Sequence, residues 1–272
     1  MKESEEAPLV DPDQLSEWII YEDQDLLVFD KPGWLVCHPS KNGPWSSLVG
    51  AAKEYLNLDS IHLVSRLDRE TSGVVMLAKH RKAASLWQRG VEQRKVSRRY
   101  LTILKGELSE AVHISTFLGK DPDSEVFVKQ RVTQQSRKAQ KSKTSFLPLG
   151  NRNQHTFCLV QTGTGRKHQI RVHAKHLGTP VVGDKLYGPN ENFYLKFIEQ
   201  GWRNDWFDVL GMDRQALHGV SLSFEELGKR FVAPIAFDMR EYLEKEVGWG
   251  AEEIKVMISN GLENLSCRHS EE

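Results

Sequence analysis

The sequence predicts an α+β fold with a largely antiparallel, curved sheet. Three observations carry this. Short apolar runs of strand character are interspersed with helical spacings without a regular βαβ alternation. The first two such runs, Trp18-Ile19-Ile20-Tyr21 and Leu26-Leu27-Val28-Phe29, flank the acidic turn Glu22-Asp23-Gln24-Asp25 and read as a hairpin. The chain has 272 residues, enough to bury a substantial core.

In order along the chain, residues 1–16 are polar and acidic, with prolines at 8 and 12, and read as a flexible tail. The hairpin follows and breaks at Lys31-Pro32-Gly33. Ser46–Leu56 has helical spacing. Ile61–Val64 and Val74–Leu77 read as short buried strands, Ala83–Val91 as a helix, and Tyr100–Leu104 and Phe157–Val160 as strands. The glycine turn Thr162-Gly163-Thr164-Gly165 leads into a helix expected from about Arg166 to Leu177, stopped by Gly178. Residues 189–213, with Trp202 and Trp206, read as a helical excursion whose aromatics serve packing, and Val220–Phe224 reads as a further strand. The expected organisation is an acidic tail (1–16), a catalytic domain (17–245) containing an insertion (189–213), and a helical, frayed C-terminal extension (246–272).

Thirty-seven Lys and Arg balance 37 Asp and Glu, but the charge is unevenly placed. Residues 1–30 hold one basic and ten acidic side chains, whereas residues 79–143 hold sixteen basic and six acidic ones. A neutral total therefore conceals a basic stretch able to make a local positive field. No apolar run approaches a membrane span and the N-terminus lacks a signal-like apolar segment, so a cytoplasmic, membrane-free protein is expected. Cys37, Cys158 and Cys267 lack metal or redox spacing and read as buried free thiols. His168, His173 and His176 have helix-like spacing, but no HExxH motif or adjacent carboxylate supports a metal.

Three clusters can carry chemistry. In Ser65-Arg66-Leu67-Asp68-Arg69-Glu70-Thr71-Ser72-Gly73 a carboxylate stands between guanidinium groups, which favour its ionised form and suit a nucleophile or base; a surface ion-pair loop is the plain alternative. Thr162 through Arg171 sets a glycine turn and basic side chains at a helix start, a setting for a phosphate or simply a basic helix terminus. Arg171 follows His168 by three residues, which places both on the same helical face. Gln93 through Tyr100 is a basic run ending in an aromatic, which stacks a base or fills a core strand.

Taken together and in order, these segments resemble the RluA-type pseudouridine synthases. The resemblance rests on Asp30-Lys31-Pro32-Gly33, on Arg66 through Gly73, on the basic strand ending at Tyr100, and on Gly165-Arg166-Lys167-His168-Gln169-Ile170-Arg171-Val172-His173. Gly183-Asp184-Lys185-Leu186-Tyr187-Gly188 and Arg214-Gln215-Ala216-Leu217-His218 complete it. It spans about Ile19 to Phe237 and implies a pseudouridine synthase fold: a central, mostly antiparallel mixed sheet with flanking helices and a basic RNA-binding cleft. By resemblance Asp68 is the essential aspartate, Tyr100 the residue stacking on the target base, and Arg171 the basic partner of the aspartate. Arg66, Arg69, Thr71, Arg98, Arg166, His168 and Gln169 are the expected RNA contacts. The implied partner is structured RNA, either transfer RNA or large-subunit ribosomal RNA, acted on by a monomer without metal or cofactor.

The chain departs from the family pattern at Ser65, where histidine is usual, at Arg98, where lysine is usual, and over 189–213, which is longer than usual. Many members also carry an N-terminal RNA-binding module of about sixty residues, whose absence here tilts the expectation toward a transfer RNA or dual-substrate member. Two other readings fit parts of the sequence: a non-catalytic RNA-binding protein of the same fold, against which Asp68, Tyr100 and Arg171 are all present, and a magnesium-dependent nuclease, for which arginines around Asp68 are a poor setting.

Overall fold

A computed structural model of the chain describes residues 8–38, 42–93 and 95–267. In chain order the elements are α1 (Pro12–Glu17), β1 (Ile19–Glu22), β2 (Leu26–Lys31), α2 (Leu48–Tyr55), β3 (His62–Leu63), β4 (Ser72–Ala78) and α3 (Arg81–Glu92). Then come β5 (Ser97–Lys105), β6 (Val112–Lys120), β7 (Gln130–Thr133), β8 (Gln140–Arg152), β9 (His155–Thr162) and α4 (Gln169–His176). The last are α5 (Asn192–Gln200), α6 (Phe207–Leu210), β10 (Leu217–Phe224), β11 (Lys229–Val232), α7 (Phe237–Tyr242) and α8 (Ala251–Cys267). The single catalytic domain expected over 17–245 is divided into two compact units. One comprises the chain up to Ser97 plus Gly219–Pro234, the other Arg98–His218 plus the chain from Ile235 on.

In the first unit β2 pairs antiparallel with β1 and with β4, and β3 pairs antiparallel with β4. The uninterrupted apolar runs of β2 and β4 are explained by burial on both faces. Leu26, Val28, Val74 and Met76 face a cluster with Trp87 of α3 and Phe224 of β10. Leu27, Phe29, Val75 and Leu77 face another with Leu15 of α1 and Leu48, Ala51 and Ala52 of α2. Each large side chain so buried contributes roughly 1.5–3 kcal/mol. Ser47 caps α2, its hydroxyl accepting from Gly50 N–H at 3.1 Å.

The expected tail over 1–16 requires correction. Residues 1–7 lie outside the described residues, but Asp11 caps α1, Val10 N–H donates to the Trp45 carbonyl at 2.7 Å, and Leu15 is fully buried. Two apolar residues in an acidic stretch suffice to dock this helix.

In the second unit β5, β9, β8, β6 and β7 form an antiparallel series. β6, β7 and β8 are absent from the sequence reading. Register places Arg98 opposite Thr162, Thr162 opposite Thr144, and Tyr100 opposite Val160 and hence Phe146, so these residues share a face. α4 lies on that face, because His173 and Gln169 bond Thr144. α8 lies on the other: Arg99, adjacent to Tyr100 and so pointing oppositely, donates to the Leu262 carbonyl at 3.0 Å. The C-terminal extension is thus helical and docked over Ala251–Leu262; residues 268–272 lie outside the described residues.

The predicted excursion is present as α5 and α6, with Trp202 edge-on to Trp206 and Phe207. No helix among the described residues is long and apolar enough to cross a membrane.

Candidate active site

Asp68 lies in the first unit, on the loop between β3 and β4, half-buried between the exposed Arg66 and Arg69. The loop is held from both sides of Asp68. Leu67 N–H donates to Cys37 Sγ at 3.5 Å and its carbonyl accepts from the same thiol at 3.4 Å. Burial pushes the Cys37 thiol above its usual value, keeping it protonated and able to donate. On the other side, the Arg69 carbonyl accepts from Lys31 Nζ at 3.0 Å, and Arg69 Nε donates to the Trp34 carbonyl at 3.1 Å. Thr71 N–H closes the turn onto the Asp68 carbonyl at 3.1 Å.

Lys31 itself is fully buried, and its ammonium also donates to the Pro32 and Leu35 carbonyls at 2.7 and 2.8 Å. A buried cation needs this saturation. Lys31→Met is expected to leave these carbonyls short of a donor, costing about 1–3 kcal/mol, and to lower turnover more than RNA affinity as the loop loosens. Denaturant unfolding beside single-turnover kinetics checks this; lost stability with unchanged turnover would mean that the anchor does not position Asp68.

Gly73 ends the loop at φ +109°, a region open to glycine, and a Cβ there would stand 2.3 Å from the Gly219 carbonyl oxygen. Ser65, where the family usually has histidine, accepts from Met76 N–H at 3.1 Å, so its hydroxyl braces the loop base. Arg66 Nη1 is 3.4 Å from His38 Nε2. Thr71, expected as an RNA contact, is buried, which makes it part of the loop's support.

The other candidates lie in the second unit. Tyr100 and Arg98, both half-buried, lie on the α4 side of β5. α4 starts at Gln169 rather than Arg166, because His168 takes a left-handed conformation (φ 55°) and ends the loop. His168 and Arg171 therefore share no helical face. His168 Nδ1 instead meets the Tyr187 hydroxyl at 2.8 Å. Gln169, also expected as an RNA contact, is buried with its amide engaged on both sides. Its nitrogen donates to the Lys143 carbonyl and Thr144 Oγ1, and its oxygen accepts from Thr164 Oγ1 and Arg166 N–H. It fastens the glycine turn to β8, leaving Arg166 to lean on the Lys141 carbonyl and Lys167 exposed.

Arg171 is buried and makes a two-pronged pair with Asp184, Nε to Oδ2 at 2.6 Å and Nη2 to Oδ1 at 2.8 Å. Asp184 also accepts from Leu186 and Tyr187 N–H, both at 2.9 Å. Burial alone would raise its carboxyl, but Arg171 and these donors hold it below the usual carboxylate range. The Tyr187 ring lies 4.9 Å from the guanidinium, and its hydroxyl accepts from Gln130 N–H at 2.9 Å. Asp184 and Tyr187 had no role in the sequence reading; the signal was there, in the segment Gly183–Gly188. Lys185 of the same segment donates to the Asp213 carbonyl and faces the Phe197 and Trp202 rings at 4.5 and 5.6 Å, tying down the 189–213 excursion.

Among the described residues no His, Cys, Asp and Glu group has a metal-binding arrangement. His173 is fully buried among hydroxyls, with Thr144 Oγ1 at 2.8 Å from Nδ1 and Thr116 and Ser142 oxygens at 3.0 and 3.1 Å from Nε2. Burial, with His176 nearby, lowers its pKa to about 4. A histidine neutral in the folded state and titrating near 6.5 when unfolded makes stability fall as pH drops from about 6.5 to about 4. His173→Gln is expected to flatten that part of the stability profile, measured as unfolding midpoint against pH; an unchanged slope would contradict it.

A family model described as RNA pseudouridylate synthase matches residues 25–176. The chain is 33% identical over 237 residues to Uncharacterized RNA pseudouridine synthase YjbO of Bacillus subtilis, covering 84% of this chain and 76% of that one. It is 37% identical over 251 residues to Uncharacterized RNA pseudouridine synthase MG209 homolog of Mycoplasma pneumoniae (92% and 71%). With Ribosomal large subunit pseudouridine synthase D of Xylella fastidiosa it shares 32% over 234 residues (83% and 68%). Human RNA Pseudouridylate Synthase Domain Containing 4 has the same fold, with a TM-score of 0.67 at 23% identity over 86% of this chain and 94% of that one. Fold and matches define an RNA-modifying isomerase. The chain belongs to the RNA pseudouridylate synthase family, in its RluA-type branch.

Proposed function

We propose that Asp68 is the catalytic carboxylate of this RNA pseudouridine synthase and that its substrate is large-subunit ribosomal RNA. The observation that carries the first part is the fastening of the loop on both sides of Asp68, by Cys37 at Leu67 and by Lys31 at Arg69, which holds a half-exposed carboxylate between two exposed arginines. The relatives named ribosomal large subunit pseudouridine synthase D support the second, against the tilt toward transfer RNA.

The reaction breaks the bond from uridine N1 to ribose C1′, turns the base, and joins C1′ to C5, with a proton leaving C5 and one reaching N1. Reactant and product have equal composition, so no redox partner is consumed. The Asp68 carboxylate either attacks the ribose or the base, or takes a proton from the sugar. The target nucleotide leaves its stack at a cost of a few kcal/mol. Tyr100 supplies a ring for the extruded base, and Arg171 a positive charge held in place by Asp184. Arg66, Arg69, Arg98, Arg166 and His168 serve the RNA backbone. The protein acts as a monomer in the cytoplasm.

The test is to incubate the protein with RNA lacking modifications and map pseudouridines by carbodiimide-dependent reverse-transcription stops. New stops in large-subunit ribosomal RNA are expected; stops confined to transfer RNA would overturn the substrate. Tyr100→Phe is expected to keep RNA affinity within about threefold because the ring still stacks, and a filter-binding isotherm shifted much further would give the hydroxyl a binding role.

A further inference from the structure

Beside α4 the second unit has a cavity of about 430 Å³, bounded by Asp121 and Lys129–Val132, by Val172, Lys175 and His176, and by Leu186–Glu191. From its composition and place we infer that it binds one nucleotide of the substrate RNA other than the target uridine, and so helps select the site that is modified. The inference rests on the proposed role of Arg171.

Volume is the first argument, since the cavity falls in the range of small-molecule sites, about 300–1,000 Å³, and admits a base with its ribose and phosphate. Chemistry is the second. Val132, Val172 and Leu186 give an apolar floor for a base plane, and the polar groups are largely settled among themselves. Lys129 lies 2.7 Å from Glu191 and 3.5 Å from Asp121, and hydrogen bonds from Lys129 and Ser124 hold the Glu191 carboxyl below its usual range. Arg131 pairs closely with Asp123 and lies 3.5 Å from Asp121. Lys175, by contrast, donates to the Gly188 carbonyl at 2.9 Å, so its hydrogen bond offsets no charge. Lys129 and Arg131 are thus matched by the carboxylates of Glu191, Asp121 and Asp123, and the rim at the exposed Lys175 and His176 is the part of the lining suited to a phosphate.

Position is the third argument. Tyr187, whose ring lies 4.9 Å from the Arg171 guanidinium, also lines the cavity, so a nucleotide held there stands close to the charge proposed to serve the reaction. The wall at Pro189–Glu191 is the start of the 189–213 excursion, which gives that segment a role in substrate choice. Single-stranded RNA is read through bases drawn out of their stacks in this way.

The test uses the full chain. The four nucleoside 5′-monophosphates and inorganic phosphate are titrated separately while the amide resonances of Val132, His176 and Asn190 are followed, for wild type, Asn190→Trp and His176→Glu. At least one nucleotide is expected to shift these amides in a way that phosphate does not, and both variants to lose the response. On the RNA mapped above, both variants are expected to raise KM about tenfold with kcat within about twofold, the signature of lost uniform binding. Shifts by phosphate equal to those by nucleotides, or an unchanged KM in both variants, would overturn the inference. A wild type that forms no pseudouridine in any RNA would instead fail the functional reading, and the titration would still decide the cavity.

Discussion

Asp68→Asn is expected to lower pseudouridine formation by about 10²–10⁴-fold or more while RNA affinity stays within a few fold. The amide matches the carboxylate in size and can remain on the anchored loop, but it is neither a base nor a competent nucleophile, and positioned groups of either kind carry rate factors of that order. Affinity is insulated because most of it comes from phosphate contacts made by other side chains. Single-turnover conversion measured beside a binding isotherm separates the two. Turnover near wild type would remove Asp68 from the chemistry; a matched loss of binding would mean that the loop had collapsed.

The sequence made the motifs legible and their supports only partly so. β2 and β4 stood out because both faces are buried and the runs are uniformly apolar. β6 and β8 did not, because inward positions such as Thr116, Ser142 and Thr144 carry hydroxyls that serve His173, so the alternation that marks a half-buried strand is weak. Gln169 resembles a surface contact until its burial is known. The start of α4 was misplaced because a left-handed His168 ends the preceding turn, a conformation that residue type signals poorly. Charge patterning pointed to arginines, but it could not separate those at the surface from those that are internal. Arg99 and Arg214 turn out to be internal fasteners, on the Leu262 carbonyl and the Asp238 carboxylate.

Arg171 is the case where that distinction matters most, and Asp184→Asn probes it. The substitution keeps one acceptor for the Leu186 and Tyr187 amides but turns the group facing Arg171 Nε into a neutral amide, so a buried cation loses its buried carboxylate. Such a change costs about 3–5 kcal/mol, which for a protein of this size lowers Tm by about 10 °C. Because the folded state holds the Asp184 carboxyl below its unfolded value, its contribution is present at neutral pH and is lost as pH falls through and below the ordinary carboxylate range. The wild-type advantage should shrink accordingly in acid. Pairing the change with Arg171→Met removes the buried cation that faced the carboxylate, so the double variant is expected to be more stable than Asp184→Asn alone, yet to stay slow in pseudouridine formation because the charge proposed to serve the reaction is gone. A double variant restored in both stability and turnover would show that the pair only builds the fold. Stability restored without turnover is the result expected of an arginine held by Asp184 for the reaction.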